Sequence, residues 1–342
     1  MKLLKTLYRI YSPSGKEEKM RRFLAEYVKK IPGVTKKTDK TGNIYITKGK
    51  AETYPAVVAH IDQVESLHSG DFKPIETKDI IFGYSMNDRQ TQNLGADDKN
   101  GVWIALKCLE KFDCLKVAFF VNEESGCGGS SKADLDFFAD CRFVIQPDRK
   151  GNSDLISSIG WTDLCSEEFL LDIDYEKFGY KETDGMMTDV QALKENGLGV
   201  SCINLSCAYY LQHTEHEYTV KKDLMKCLRF VEHIIEVCTK TYPHEAKYDY
   251  YMDYEVDDDI WIMLEENPGV TSDEIYDYFH PIYPNLTLND IERVMDNFKF
   301  FYDNEEDLIK GNPICELKPK KNEDLQEHQH GAVQTICSEK KD

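Results

Sequence analysis

The chain has 342 residues, 41% of them apolar and 30% charged, with a formal net charge of −20. No apolar run reaches the roughly 18 residues of a membrane span, and a field of that sign repels phosphate backbones, which excludes membrane and nucleic acid as partners. Eleven cysteines, none in a Cys-x-x-Cys pair, read as the reduced thiols of a cytoplasmic protein rather than a disulfide framework or a zinc ribbon. The start, MKLLKTLYRIYSPSGKEEKM, has no long apolar core and no small-residue cleavage site, and reads as no signal peptide.

Residues 1–30 read as a helix, a Ser-Pro-Ser-Gly break and a second helix from Lys16 to Lys30, with Ser14 and Glu17 spaced as a capping box. From Asn43 the pattern turns to strands: NIYITKG, PAVVAHI, KVAFFVN (116–122) and RFVIQP (142–147). The continuous runs PAVVA and VAFFV are those of strands buried on both faces. Between them, LGADDKNG (94–101) leads into VWIALKCLEKF, a helical pattern with Val102, Ala105, Leu106 and Leu109 apolar. Strands alternating with helices predict an α/β fold, a largely parallel mixed sheet flanked by helices. A helix over Lys221–Thr239 closes this unit, expected to span 1–242.

After Tyr242 the composition shifts to Tyr and Asp, and 243–257 reads as a linker. A small acidic helical domain is expected over 258–315, with DDIWIMLEEN, TSDEIYDYF and TLNDIERVMDNFKFF in a winged-helix-like order. Its only basic residues between 249 and 308 are Arg293 and Lys299, which argues against DNA and for protein contact or self-association. The polar, charged tail 316–342 reads as disordered.

Five stretches carry ligand-type residues: AHID (59–62), GADD (95–98), VNEES (121–125), QPD (146–148) and QHTEHE (212–217). Each alone is ordinary. An Asp pair before a helix is usually a cap, and Gln-Pro-Asp is a turn signal. Jointly they differ, because four of the five stand at the end of an apolar strand or the start of a helix, and such positions converge on one crevice in open α/β sheets. Adjacent buried carboxylates repel each other unless a cation joins them. Mixed His and carboxylate donors suit zinc, cobalt or manganese. Two such ions activate one bridging water and need one bridging carboxylate, plus another that is not a ligand and serves as general base. The bridge is a reason for an Asp in the centre, and adjacent Glu123 and Glu124 are placed to divide the roles of ligand and base.

Taken in order, AHID, GADDKNG, NEESGCGGS, QPDRKGNSD, TDGMMTDV and YYLQHTEHEY resemble the motifs of the co-catalytic zinc exopeptidases, the group of peptidase T, the glutamate carboxypeptidases and the bacterial leucyl aminopeptidases. The opening SPSGKEEKMRRFL is similar to the start of tripeptidases in that group, and the likeness covers about residues 5–240. It implies the phosphorylase/hydrolase-like fold and two divalent ions, zinc or else cobalt or manganese. It implies His60, Asp97, Glu124, Asp148 and His213 as metal ligands, with Asp97 the bridge. Glu123 matches the general base and Asp62 the acid that orients His60. Asp98 and His216 stay open as alternatives to Asp97 and His213, and a cis peptide is expected between Asp97 and Asp98.

Thr188 and Asp189 match a motif beside the substrate pocket, with a helix cap as the other reading. Tyr209 and Tyr210 read either as oxyanion donors or as buried sheet aromatics. The intervals from Asp62 to Asp97 and from Asp148 to His213 are too short for the family's inserted lid and dimerisation domains, so a compact form is expected. The implied function is hydrolysis of short peptides by an aminopeptidase or tripeptidase. The alternatives are an amide hydrolase or carboxypeptidase acting on N-acylated amino acids or peptides, and a non-catalytic scaffold. A homo-oligomer stays open.

Overall fold

Residues Tyr54–His60 and Leu115–Phe120 are buried at every position, so no polar face marks them as half-exposed strands. Such strands must lie inside a sheet covered on both sides. The computed structural model describes residues 1–160, 162–246, 254–267, 269–283 and 286–303. Contacts divide the chain into two units, Met1–Tyr248 and Asp249–Asp342.

The first unit begins with helices α1 (Lys2–Tyr8) and α2 (Glu18–Val28), followed by strands β1 (Val34–Thr38), β2 (Ile44–Lys48) and β3 (Tyr54–His60). Three short strands follow, β4 (Lys73–Glu76), β5 (Ile80–Ser85) and β6 (Gln90–Gln92), then helix α3 (Ala96–Lys111). Next come β7 (Leu115–Phe120), β8 (Cys141–Arg149), β9 (Asp154–Ile159) and β10 (Thr162–Asp163), helix α4 (Glu167–Ile173), β11 (Lys181–Asp184) and helix α5 (Asp189–Glu195). The unit closes with β12 (Cys202–Ser206), β13 (Tyr209–Tyr210), β14 (Tyr218–Val220) and helix α6 (Lys221–Val237).

The main sheet runs β1-β2-β7-β3-β8-β12-β9-β10, with β11 beside β9. Its centre is parallel, β7 with β3, β3 with β8 and β8 with β12; β1, β2, β9 and β10 join antiparallel at the flanks, and β11 runs parallel to β9. Alternate residues of β3 feed opposite layers, as a two-residue period demands. Val57 and Ala59 pack with Val102 and Leu106 of α3 and Leu224 of α6. Ala56 and Val58 pack with Val190 and Leu193 of α5. The largely parallel, helix-flanked α/β fold expected from the pattern is therefore present. A second, antiparallel sheet, β13-β14-β5-β4 with β6 on β5, has no counterpart among those expectations.

One local expectation fails. Ser14 and Glu17 form no capping box: the α2 N-cap position is Glu17, without a side-chain cap, and the Ser14 hydroxyl instead donates to Asp62 at 2.7 Å. The reason is burial. Asp62 is fully enclosed, and a buried carboxylate without donors is costly. Glu17 Oε1 turns to the Gly15 and Asn122 amides instead.

In the second unit, helices α7 (Tyr254–Glu266), α8 (Ser272–Phe279) and α9 (Leu288–Asp303) enclose a core that includes Ile260, Leu264, Ile275 and Ile291. Helix α8 carries a true capping box between Thr271 and Glu274. The expected tail 316–342 lies outside the described residues. No helix among the described residues is long and apolar enough to cross a membrane.

Candidate metal centre

Because β3, β7 and β8 are parallel neighbours, their carboxyl ends share one edge of the main sheet. His60 closes β3, the loop after β7 carries Glu123 and Glu124, and Asp148 stands near the end of β8. Helix α3 starts at the same edge with Asp97 and Asp98, whose backbone is non-helical and joined by a cis peptide bond. Gly101 is required there, since a Cβ would lie 2.4 Å from the Asp98 carboxylate and 2.5 Å from the Pro147 carbonyl. His213 comes from the other sheet, on the loop between β13 and β14.

Asp97 sits between two groups of donors. Its Oδ1 is 3.0 Å from His60 Nε2, which is itself 3.5 Å from Asp148 Oδ1. Its Oδ2 is 3.4 Å from His213 Nε2, which is 2.9 Å from Glu124 Oε2. Glu123 Oε2 stands 3.9 Å from His60 Nε2. Two sets of metal-type donor atoms lie within 4.8 Å of one another: His60, Asp97 and Glu124, and His60, Asp98 and Asp148. Asp98 thus remains close, though its Oδ1 accepts the Gly101 amide at 2.8 Å, as a helix cap does. His216 is turned away, with Nδ1 2.8 Å from the Thr91 hydroxyl.

The electrostatics are those of crowded acids. Burial pushes Glu123 up to about 9 and Asp148 up to about 8; His60 opposes the rise, and neighbouring carboxylates add to it. Burial also opposes ionisation of Asp97, yet His213 and His60 hold it well below the usual carboxylate range. Hydrogen bonding to Asp97 and Glu124 raises His213 to about 10. Glu124 Oε1 and Asp98 Oδ2 are buried with no hydrogen-bond partner. Oxygen and imidazole donors facing one another, with orphaned carboxylate oxygens among them, fit divalent cations of the zinc, cobalt or manganese type.

Outer partners hold each group. Asp62 lies 3.4 Å from His60 Nδ1 and accepts the amides of Glu123 at 3.0 Å and Glu124 at 3.2 Å. One carboxylate therefore ties the end of β3 to the loop after β7. Gln146 donates to Asp148 at 2.9 Å and Asp189 at 3.1 Å, and accepts the Thr188 hydroxyl at 3.0 Å. Thr188 does occupy the N-cap position of α5, but makes no side-chain cap bond. Tyr209 donates to Asp148 at 3.3 Å and lines the cavity beside it, whereas Tyr210 donates to Asp223 and stacks on Tyr218, outside that cavity.

Glu217 has no role in the sequence-based reading beyond its place in the His-Thr motif. It is buried, accepts the Ala96 and Asp97 amides at 3.1 Å each, and receives Asn93 Nδ2 at 3.0 Å. Asn93 in turn accepts from Gln63, and Gln63 from the buried Lys99 ammonium. The loop before Asp97 is thereby pinned to the His213 loop. Asn204, which brackets the Asp148 backbone from β12, was signalled only by a polar residue inside the apolar run CINLSC.

No family model matches the chain, and no curated protein matches it in sequence. Solved structures do match. An aminopeptidase PepT from Bacillus cereus is 15% identical over 70% of this chain and 98% of its own, with a TM-score of 0.55. The chain has the fold of this peptidase. A tripeptidase from Staphylococcus aureus is 15% identical over 69% of this chain and 96% of its own, with a TM-score of 0.54. An aminopeptidase from the archaeon Desulfurococcus kamchatkensis is 16% identical over 70% and 94%, also with a TM-score of 0.54.

Proposed function

We propose that the chain is a di-metal exopeptidase that removes residues from the free amino end of short peptides. The reading rests on one observation: the two carboxylate oxygens of Asp97 face different imidazoles, each with a further carboxylate beside it. That is the donor arrangement of a bridging ligand. His60, Asp97 and Asp148 form one seat, and Asp97, Glu124 and His213 the other. Two divalent cations in these seats would supply Lewis-acid activation of a water and of the scissile carbonyl.

The chain's own groups supply the rest. Glu123 stands beside His60 without being needed in either seat, and cations in the seats would offset the burial that raises it, so its Oε2 is free to take the proton of the attacking water. It then gives that proton to the leaving amine. Asp62 holds the His60 ring and the Glu123 backbone together, and Tyr209 positions Asp148. Thr188 and Asp189 buttress the cavity wall through Gln146. The compartment in this reading is the cytoplasm and the preferred metal zinc. The TET1 peptidase of Pyrococcus horikoshii, 16% identical with a TM-score of 0.50, assembles into a tetrahedron or a large octahedral shell, and a homo-oligomer is the partner this reading admits.

The test is hydrolysis of a free-amine tripeptide by protein reconstituted with zinc, cobalt or manganese, beside the N-acetylated peptide and the Glu123→Gln variant. Cleavage of the free peptide alone, lost in the variant, is expected. Cleavage of only the acetylated peptide would move the activity to an acyl-amide hydrolase. Cleavage of neither would leave the scaffold reading.

A further inference from the structure

The cavity at the metal centre is about 260 Å³ and is lined by Asp97, Glu123, Glu124 and Asp148. Two cations share its wall, Arg149 and Lys150, which follow Asp148 directly. Arg149 is already engaged, with Nε 3.4 Å from Asp154 Oδ2. Lys150 is exposed, and its ammonium has no hydrogen-bond or ion-pair partner among the described residues. It also lines a second cavity of about 470 Å³, bordered by Tyr210, Leu211 and Tyr218, and so stands where the two meet.

The backbone that carries Lys150 is firmly held. The Lys150 carbonyl accepts the Ser206 hydroxyl at 2.6 Å, and the Gly151 amide donates to the Tyr209 carbonyl at 2.9 Å. The Arg149 and Gly151 carbonyls each accept an amide, from Cys207 and Ala208, at 2.8 Å. A fixed backbone thus roots an uncommitted ammonium at the point where the two cavities meet, within reach of an anion in either.

A short peptide is a zwitterion. Its reacting end belongs among the carboxylates and the cations they hold, so its own carboxylate must lie toward the mouth of a cavity this small. We propose that Lys150 binds the free α-carboxylate of the substrate, which makes the protein selective for short peptides with an unblocked carboxyl end. The proposal rests on the peptidase reading above. The substrate is held at both ends, and length selection follows from the distance between Lys150 and the metal seats.

The experiment compares trialanine, trialanine amide and an alanyl-aspartyl-alanine amide with metal-reconstituted wild type, Lys150→Met, Lys150→Arg and Lys150→Glu, with kcat and KM measured separately. The wild type is expected to favour the free acid over the amide at least about tenfold in kcat/KM, through KM. Lys150→Met brings the ratio to about one, Lys150→Glu takes it below one, and Lys150→Arg keeps it. Equal use of acid and amide by the wild type overturns the proposal while the peptidase reading stands. So does a preference confined to the aspartyl amide, which would assign Lys150 to an acidic side chain. Cleavage of none of the three peptides brings down the peptidase reading, and this proposal with it.

Discussion

The two sheets of the first unit contribute to one site in different ways. The main sheet presents His60 and Asp148 from the ends of parallel strands, with His60 only 1% exposed and braced by Asp62. The small antiparallel sheet presents His213 from a loop, 48% exposed, with a left-handed φ of 63°. A residue at a strand end inherits its position from the ladder on either side. A residue on a loop must be placed by a few specific bonds, here those of Glu217 and Asn93. In the proposed reading the His60 side is the more preorganised seat, and the His213 side, open to solvent, is the one a substrate would approach.

The variant with the largest expected effect leaves both halves intact. Glu123→Gln should lower kcat by about 10²- to 10⁴-fold while two metal equivalents still bind, as read by kinetics beside metal titration. Retained activity would remove Glu123 from the proton-transfer role. The two halves separate in the next pair. His213→Ala should keep one tightly bound equivalent and lose the second, whereas His60→Ala should weaken both, as calorimetry with zinc or cobalt would read. The opposite order would reverse the assignment of the rigid seat.

A smaller effect is expected one step further out. Asp62→Asn keeps the shape but not the charge beside His60, and should cost about 10- to 100-fold in metal affinity or activity. No change would mean that the strand end alone orients the ring. The smallest effect lies in the loop beyond Asp62. There His68 stacks on Tyr11 with ring centroids 4.4 Å apart and also packs on Phe72. Burial, with the Lys99 and Lys19 charges, holds His68 down at about 4, against an ordinary 6.5. The unfolded chain therefore takes up the proton first. The neutral ring's full contribution is present above about pH 6.5, declines as pH falls, and is gone below about 4. Discounted for its half exposure, this is about 1 kcal/mol. Denaturant titrations of His68→Gln across that range should show a flatter acid limb than the wild type.

Much of this organisation is legible in the residue order. The runs PAVVA and VAFFV are apolar at every position because both faces are covered, so strand, burial and parallel pairing follow from composition alone. Placing AHID, NEES and QPD after such runs puts their acids and imidazoles at one sheet edge, and the structure does bring His60, Glu123, Glu124 and Asp148 together there. The choice of His213 over His216 could not be made from spacing alone. The hairpin of β13 and β14 aims the His213 ring at Asp97 and the His216 ring at Thr91, which favours His213 in the proposed reading. The small sheet itself was not legible. Its strands are two to six residues long and part-exposed, and the pairing that joins the β13–β14 hairpin to β5 spans more than a hundred positions, so no local period marks the sheet. Likewise Ser14 carries the local signature of a helix cap and becomes a donor to Asp62, 48 positions away, because enclosing that carboxylate outweighs one cap. Local pattern determined the core strands and helices of the main sheet and which stretches carry ligand-type residues. Only the tertiary structure decided which polar groups meet, since the cost of burying an unpartnered charge is settled by neighbours distant in the chain.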